Sequence, residues 1–460
     1  MWNLKIIDTD KPLYIAIAEA IERDIKEGVL SSGEKLPTHR ELAKIVGVNV
    51  TTATRAYNEA EKRGIITSIV GNGTFVTSDL GGTPSLLSAE SKTNSMIEMG
   101  LVLPLYSVEP DIRPICKRVL AKKHINSFME YTPPQGLISH RRVGVKWVNQ
   151  FGICTDENNM IITSGAQHAI NCVLSACFEN GDRVAVDYLT YPGIKSAAKR
   201  CGIRLEGIMI DHEGMLPDEL ESVCKRHDIK GVYTSACMQN PTNACMSDKR
   251  QRDLVDIIKK KNLLLIEDDL YRFLCENKSC ATLTSFIPEN SIYIAGIAKA
   301  FYAGLRIGFL SAPPPYYNRI CQAIVDTIWM APAINAEIAC ECIKSGLAND
   351  IIKTKQDELI KRAAIMADAL NNYEYKYKPH SMFAWLKLPE EWNSIQFEKA
   401  AQKNGINVIA SDKFTVSNIT LPNYVRISLS GATSISEFEK GLSVLLWTLR
   451  HDHNEVIRIL

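Results

Sequence analysis

SIYIAGIAKAFYAGLRIGFL, residues 291–310, sets two apolar runs on either side of a lysine and an arginine. Ile292-Tyr293-Ile294 has the content of a buried strand, and Lys299 follows it among small residues. Gly304-Leu305-Arg306 leads into the second run, Ile307 to Leu310. A lysine at the end of a core strand is costly unless it is paired or chemically used. Desolvation lowers its pKa, and the neutral amine can then form a Schiff base with a carbonyl. Arg306, seven residues on, offers a planar guanidinium to a phosphate. An aldehyde at one end and a phosphate at the other point to pyridoxal 5'-phosphate (PLP). Spacing alone leaves a second reading open, a snorkelling surface lysine beside a routine surface arginine.

Outward from this stretch, strand-like and helix-like runs alternate from about Glu98 onward, as in a doubly wound α/β sheet. IITSGAQHAI, residues 161–170, follows the strand, small-residue loop, helix pattern that presents backbone amides to a phosphate, with Ala166 and Gln167 supplying them. RVAVD leads to Tyr188-Leu189-Thr190-Tyr191-Pro192-Gly193, where an aromatic at a strand end can stack on a ring. GVYTS precedes Gln239-Asn240-Pro241-Thr242, and LLLIE runs into Asp268-Asp269-Leu270-Tyr271. A carboxylate there can pair with a protonated pyridine nitrogen. Each piece has a plain alternative: a helix-capping Asp, an Asn-Pro turn, a Tyr-Pro loop anchor.

Their order is similar to that of the fold type I PLP enzymes, particularly aminotransferases resembling the 2-aminoadipate and kynurenine group. That resemblance spans roughly Glu98 to the C-terminus and implies a large PLP domain with a smaller C-terminal α/β domain from about residue 335. It implies Lys299 as the Schiff-base (internal aldimine) lysine and Asp268 as the pyridinium partner. Asn240 and Tyr271 would hydrogen-bond the ring hydroxyl, Tyr191 would stack on the ring, and Ala166, Gln167 and Arg306 would hold the phosphate. Tyr131, directly before TPPQGLISHR, matches a residue that reaches a neighbouring subunit's phosphate, which implies a dimer. Arg426, in YVRISLS, matches an arginine that clamps an amino acid's carboxylate; an exposed strand arginine is the other reading. Gly296 and Ala298 stand where serines are common, Leu189 and Ala236 replace prolines, Asn243 replaces a turn glycine and Met238 a frequent histidine. These departures leave PLP binding expected and efficient transamination in doubt.

The N-terminal stretch reads differently. Leu13, Ile17, Ile21 and Ile25 recur at fourfold spacing, an amphipathic helix closed by Gly28. Thr38 with Glu41 forms a capping box that starts a second helix, stopped at Gly47. A third helix starts near Val50. Ala53, Tyr57 and Ala60 would pack inward, leaving Thr51, Arg55, Asn58 and Lys62 as a polar stripe able to enter a major groove. Two short β-rich runs joined by Gly71-Asn72-Gly73 make a hairpin wing. Across residues 35–58, Lys35, Arg40, Lys44 and Arg55 face only Glu41, a local positive excess. Lys35, Thr38, Arg40, Thr51, Thr52, Arg55, Asn58 and Asn72 are the candidate DNA contacts. LPTHRELA, GVNVTTATRAY and GNGTFV resemble the GntR family of bacterial regulators. A three-helix packing module without a DNA role is the alternative.

Between the two lies SDLGGTPSLLSAESKTNSM, rich in Ser, Gly, Thr and Pro and without a period. It reads as a flexible tether over residues 78–97, separating a DNA-binding domain (1–77) from a PLP-binding domain (98–460). The chain's net charge is +1, so no global field draws it to nucleic acid or membrane. No signal segment or apolar run near membrane-spanning length is present, and a cytoplasmic location is expected. The 13 cysteines include no C-x-x-C pair, so neither a structural zinc site nor a thioredoxin-like motif is indicated; most read as reduced core fillers.

A GntR-like winged helix tethered to an aminotransferase-like domain resembles the MocR family of bacterial transcription regulators. The resemblance implies operator DNA as partner, an amine, an amino acid or PLP itself as effector, and a head-to-tail homodimer. A working aminotransferase with a DNA-binding appendage is the rival reading.

Overall fold

The computed structural model describes residues 11–26, 29–30, 35–63, 65–69, 73–76, 96–275, 281–416 and 422–451. Asn72 and the tether up to residue 95 lie outside the described residues. The chain divides into two compact units, one running from Met1 to Lys92 and the other from Thr93 onward.

The first unit holds three helices, α1 (Leu13–Lys26), α2 (His39–Val46) and α3 (Val50–Lys62), then the antiparallel strands β1 (Ile66–Ile69) and β2 (Gly73–Val76). Short polar signals set the helix ends. The Thr38 hydroxyl accepts from the Glu41 amide at 3.3 Å, and Glu41 Oε2 accepts from the Thr38 amide at 2.8 Å. Those bonds hold the Glu41 carboxyl below its usual range, led by the one from the Thr38 backbone. Gly47 ends α2 at φ 72°, a left-handed conformation that costs glycine little. Two residues later Asn49 Oδ1 accepts from the Thr52 amide at 2.7 Å and opens α3. Ile17, Ile21, Leu42, Ala53, Tyr57, Ala60 and Val76 close one core, and the Tyr57 hydroxyl donates to the Pro37 carbonyl at 2.8 Å. That bond ties α3 to the segment entering α2.

The second unit is built on seven strands: β3 (Met160–Thr163), β4 (Arg183–Asp187), β5 (Arg204–Ile208), β6 (Ile229–Thr234), β7 (Leu264–Asp268), β8 (Ser291–Gly296) and β9 (Gly308–Ser311). Their order across the sheet is β3-β9-β8-β7-β6-β4-β5. All run parallel except β9, which is antiparallel to both its neighbours. The turn through Arg306 is short, so the chain folds straight back instead of crossing over, and the sheet departs there from a uniformly parallel one. Alternate residues of β8 enter different cores: Ile292 and Ile294 pack with Ile161, Ile170 and Leu310, while Tyr293 and Ala295 pack with Ile162 and Phe309. Burial on both faces explains the unbroken apolar run.

A smaller antiparallel sheet joins β10 (Tyr375–Lys376), β11 (Phe383–Lys387), β12 (Ile409–Ala410) and β13 (Tyr424–Ser428) in the order β10-β11-β13-β12. Ile97 and Glu98 pair in parallel with Ile406 and Asn407. Ile97, expected to end the tether, is therefore a buried strand residue of the second unit. Cys172 and Cys340 are buried fillers, as expected of most of the cysteines, and the sulfurs of Cys237 and Cys275 lie against each other.

Asn49→Ala removes the acceptor at the start of α3 and should cost about 1 kcal/mol. Hydrogen exchange at the Thr52 amide should quicken while amides of the seven-stranded sheet keep their protection; an unchanged Thr52 rate would refute the cap.

Candidate functional site

Three strand ends and one helix start converge at the carboxyl edge of the large sheet. The sequence places Lys299 just past β8, and the fold buries its amine, which donates to the Val102 carbonyl oxygen. Burial, followed by the positive charges of Arg426, Arg306 and Lys355, pushes its pKa down to about 8. Lys355 is itself buried and tied to Glu109 Oε1 at 2.6 Å and to the Lys299 carbonyl at 3.2 Å. This amine is no snorkelling surface group.

Asp268 ends β7, next to β6 in the sheet. The Tyr233 hydroxyl of β6 donates to Asp268 Oδ2 at 2.6 Å, whereas Oδ1 is buried without a partner. Burial pushes this carboxyl up to about 7; the Tyr233 bond opposes that rise and the Asp269 charge adds to it. An unmatched buried oxygen costs about 1–3 kcal/mol. A protonated ring nitrogen at Oδ1 would satisfy it and favour the ionised carboxylate.

A third element is the helix α4 (Ala166–Cys177), which no side chain caps. Gly165 precedes it at φ 85°, and a Cβ there would lie 2.8 Å from Arg306 Nη2. Any other residue would push the guanidinium away from the open amides of Ala166 and Gln167. Arg306 is itself left-handed, at φ 52°, which swings it back from the β8–β9 turn. Open amides, helix dipole and guanidinium form a phosphate cradle. The residues present thus suit PLP: an amine for the aldehyde, a carboxylate for the ring nitrogen and a cradle for the phosphate.

Arg426 lies on β13 and is buried. Its Nη1 donates to Asn240 Oδ1 at 2.7 Å and its Nη2 to the Gly100 carbonyl at 2.8 Å, while Nε has no acceptor. The guanidinium sits 4.9 Å from the Phe414 ring centre and 5.8 Å from that of Phe383. Burial lowers its pKa to about 10, and Tyr271, Glu98 and Tyr191 offset part of that. An exposed strand arginine is excluded.

The buried Tyr271 follows Asp268, its ring 5.3 Å from that of Phe383. Tyr191 opens the helix Pro192–Cys201, and burial, then the Asp268 charge, raises its hydroxyl to about 12. The fold therefore brings Lys299, Asp268, Tyr271, Tyr191, Asn240, Arg306 and Arg426 to one locality. Tyr131 is not among them: it is 84% exposed, with its ring 5.9 Å from Trp329. Gly296 has a steric explanation, since a Cβ there would lie 2.6 Å from Leu270 Cδ2. Asn243 holds the turn-glycine conformation at φ 61°, while its amide donates to the Phe383 carbonyl at 2.7 Å. Tyr233 and Gly165 escaped sequence reading. A strand buried on both faces carries no alternation to mark which tyrosine faces the ring, and a lone glycine is weak evidence.

In the first unit Thr51, Arg55, Asn58, Arg40 and Lys35 are exposed. The Lys35 amine lies 5.9 Å from the Phe75 ring centre of the wing, so it belongs to the wing face. Thr38 and Thr52 serve the helix caps described above, through side chain and amide respectively. Asn72, as noted, is not described.

Residues 108–445 match the family described as aminotransferase class I and II, and residues 13–76 match the bacterial regulatory proteins of the gntR family. A Bacillus subtilis protein named uncharacterized HTH-type transcriptional regulator YdeF is 32% identical over 96% of each chain. A Thermus thermophilus 2-aminoadipate transaminase is 25% identical, covering 66% of this chain and 78% of its own. Among solved structures, an archaeal alanine:glyoxylate aminotransferase shares the fold with a TM-score of 0.71, at 25% identity over 78% of this chain and 92% of that one. The chain belongs to the class I and II aminotransferase family, whose cofactor is PLP, and carries a GntR-type helix-turn-helix at its N-terminal end. That fusion makes it a transcriptional regulator of the MocR type.

Because the Lys299 pKa is lowered to about 8, its free-amine fraction should rise with pH and level off above that value. Stopped-flow mixing with PLP should show the bonding rate climbing to a plateau near there; a rate still rising beyond pH 10 would contradict the burial argument. Tyr233→Phe removes the donor to Asp268, a hydrogen bond to a charged group worth about 1.5–3 kcal/mol. PLP should then bind roughly ten- to hundredfold more weakly, read by equilibrium dialysis.

Proposed function

We propose that the chain is a dimeric, cytoplasmic regulator that grips operator DNA through α3 and the wing, and that senses an amine or amino acid at Lys299. The observation that carries this reading is the shared burial of the Lys299 amine, the unmatched Asp268 Oδ1 and the Arg426 guanidinium. When bound, PLP supplies an electrophilic carbon at which one amine can replace another. Lys299 would hold the aldehyde end through its buried amine. Asp268 would hold the proton on the ring nitrogen at its unmatched oxygen, and Tyr271 and Asn240 would hydrogen-bond the ring hydroxyl. Arg426 orients a carboxylate when the effector has one, a planar match for a guanidinium.

Exposed Tyr131 would serve the site of a second copy, which supports a head-to-tail dimer. Effector control requires different affinities for two states, so tight binding alone would leave the DNA grip unchanged. The engagement of the Lys299 amine would distinguish the states, and a shift of the large unit would reset the spacing of two α3 helices on their half-sites.

Fluorescence anisotropy with operator DNA tests both halves. Arg55→Ala should weaken operator binding about tenfold or more and leave the visible absorption of the coenzyme-loaded protein intact. Lys299→Ala should lose that absorption and the response to amines, while still binding DNA. Steady transamination of an amino acid with 2-oxoglutarate, with no effect of amines on DNA affinity, would favour the enzyme reading instead.

A further inference from the structure

We propose that Cys237 and Cys275 form an oxidant-reactive dithiol whose closure to a disulfide loosens the hold on the coenzyme. The proposal rests on the coenzyme reading above for its consequence, and on the cysteines themselves for its chemistry. The strands β6 and β7 are hydrogen-bonded parallel neighbours, so the loops leaving their carboxyl ends run side by side. Cys237 lies on the first loop, three residues before Asn240; Cys275 lies on the second, four residues after Tyr271. Their sulfurs meet. Cys172, Cys321, Cys340 and Cys342, buried elsewhere in the unit, pair with no second sulfur.

The backbones stand further apart than the sulfurs suggest. The two Cα atoms are 7.9 Å apart, and relaxed disulfides span about 4.4–6.8 Å. Bond closure therefore draws the loops together by about 1 Å or more. Asn240, which holds Arg426 Nη1, and Tyr271 ride on those loops. A shift of that size moves both away from the positions that suit the ring hydroxyl.

Access is provided from one side. Cys237 is buried, but Cys275 borders a cleft of about 640 Å³ that is also lined by Arg272, Lys353, Asp357 and His380. Three of those four groups are basic or potentially cationic, a setting that favours a thiolate. The chemistry balances with a hydroperoxide as oxidant. The Cys275 thiolate attacks the O–O bond, taking one oxygen as a sulfenic acid and releasing hydroxide. The Cys237 sulfur then displaces that oxygen as water, forming the S–S bond. Two thiols lose two electrons, and the peroxide gains them. In the reducing compartment where DNA is read, such a bond is transient, as expected of a sensor.

The PLP-loaded protein, reduced and then titrated with hydrogen peroxide, tests this by alkylation, tryptic mapping and equilibrium dialysis. Trypsin releases Phe273–Lys278 with Cys275 as its one cysteine, and Gly231–Lys249 with Cys237 and Cys245. A Cys245→Ser background therefore assigns the bond. Oxidation should join these two peptides and weaken PLP retention about tenfold, and dithiothreitol should reverse both. Cys237→Ser and Cys275→Ser should each abolish the link and the response; their visible spectra when reduced verify that they fold. Cys275 remaining alkylatable, or joined to a different cysteine, would overturn the proposal, as would the link forming with PLP retention unchanged. A missing link with a normal visible spectrum sinks this inference alone. Visible absorption that persists in Lys299→Ala sinks the coenzyme reading instead.

Discussion

An amine taken out of water and set near two guanidinium groups holds its proton less tightly than a lysine on the surface. Most of the large unit's geometry follows from that constraint. Lys299 is held at the mouth of β8 by a carbonyl from another part of the chain, and its cationic neighbours raise the cost of protonation further. With its pKa down to about 8, the free amine is a nucleophile whose share grows as pH approaches that value. Opposite it, Asp268 is buried with one oxygen committed to Tyr233 and the other uncommitted. Each group is unfavourable alone, and a ligand with an aldehyde and a basic ring nitrogen relieves both. Such local strain is what folded proteins tolerate at functional sites and avoid elsewhere.

The same logic links the site to the rest of the unit. Arg426 reaches in from the smaller sheet, and its two committed donors join Asn240 on one loop to Gly100 near the start of the unit. Val102, which receives the Lys299 proton donor, lies two residues beyond Gly100. Strand Ile97–Glu98, just before them, follows the tether directly in sequence. A change in how Lys299 and Arg426 are engaged therefore bears on the strand Ile97–Glu98 and the residues just after it.

Much of this was legible in the residues. The capping box at Thr38 and the left-handed stop at Gly47 are local effects, and the structure has both. The buried strands could be read because apolar runs bounded by turn residues leave few alternatives. What escaped depended on contacts distant in sequence. The antiparallel run of β9 follows from a turn too short for a crossover. The burial of Arg426 arises when β13 packs Phe414 and Phe383 around it. Tyr233 looks like any other strand tyrosine until Asp268 lies beside it. The meeting of Cys237 and Cys275 needs the neighbouring order of β6 and β7, which no spacing encodes.

The central claim is that one particular amine bonds the coenzyme. Borohydride reduction of the PLP-loaded protein, followed by peptide mapping, addresses it directly. The account predicts a stable pyridoxyl label on Lys299 and on no other lysine. Label on a different lysine, or none at saturating coenzyme, would contradict it.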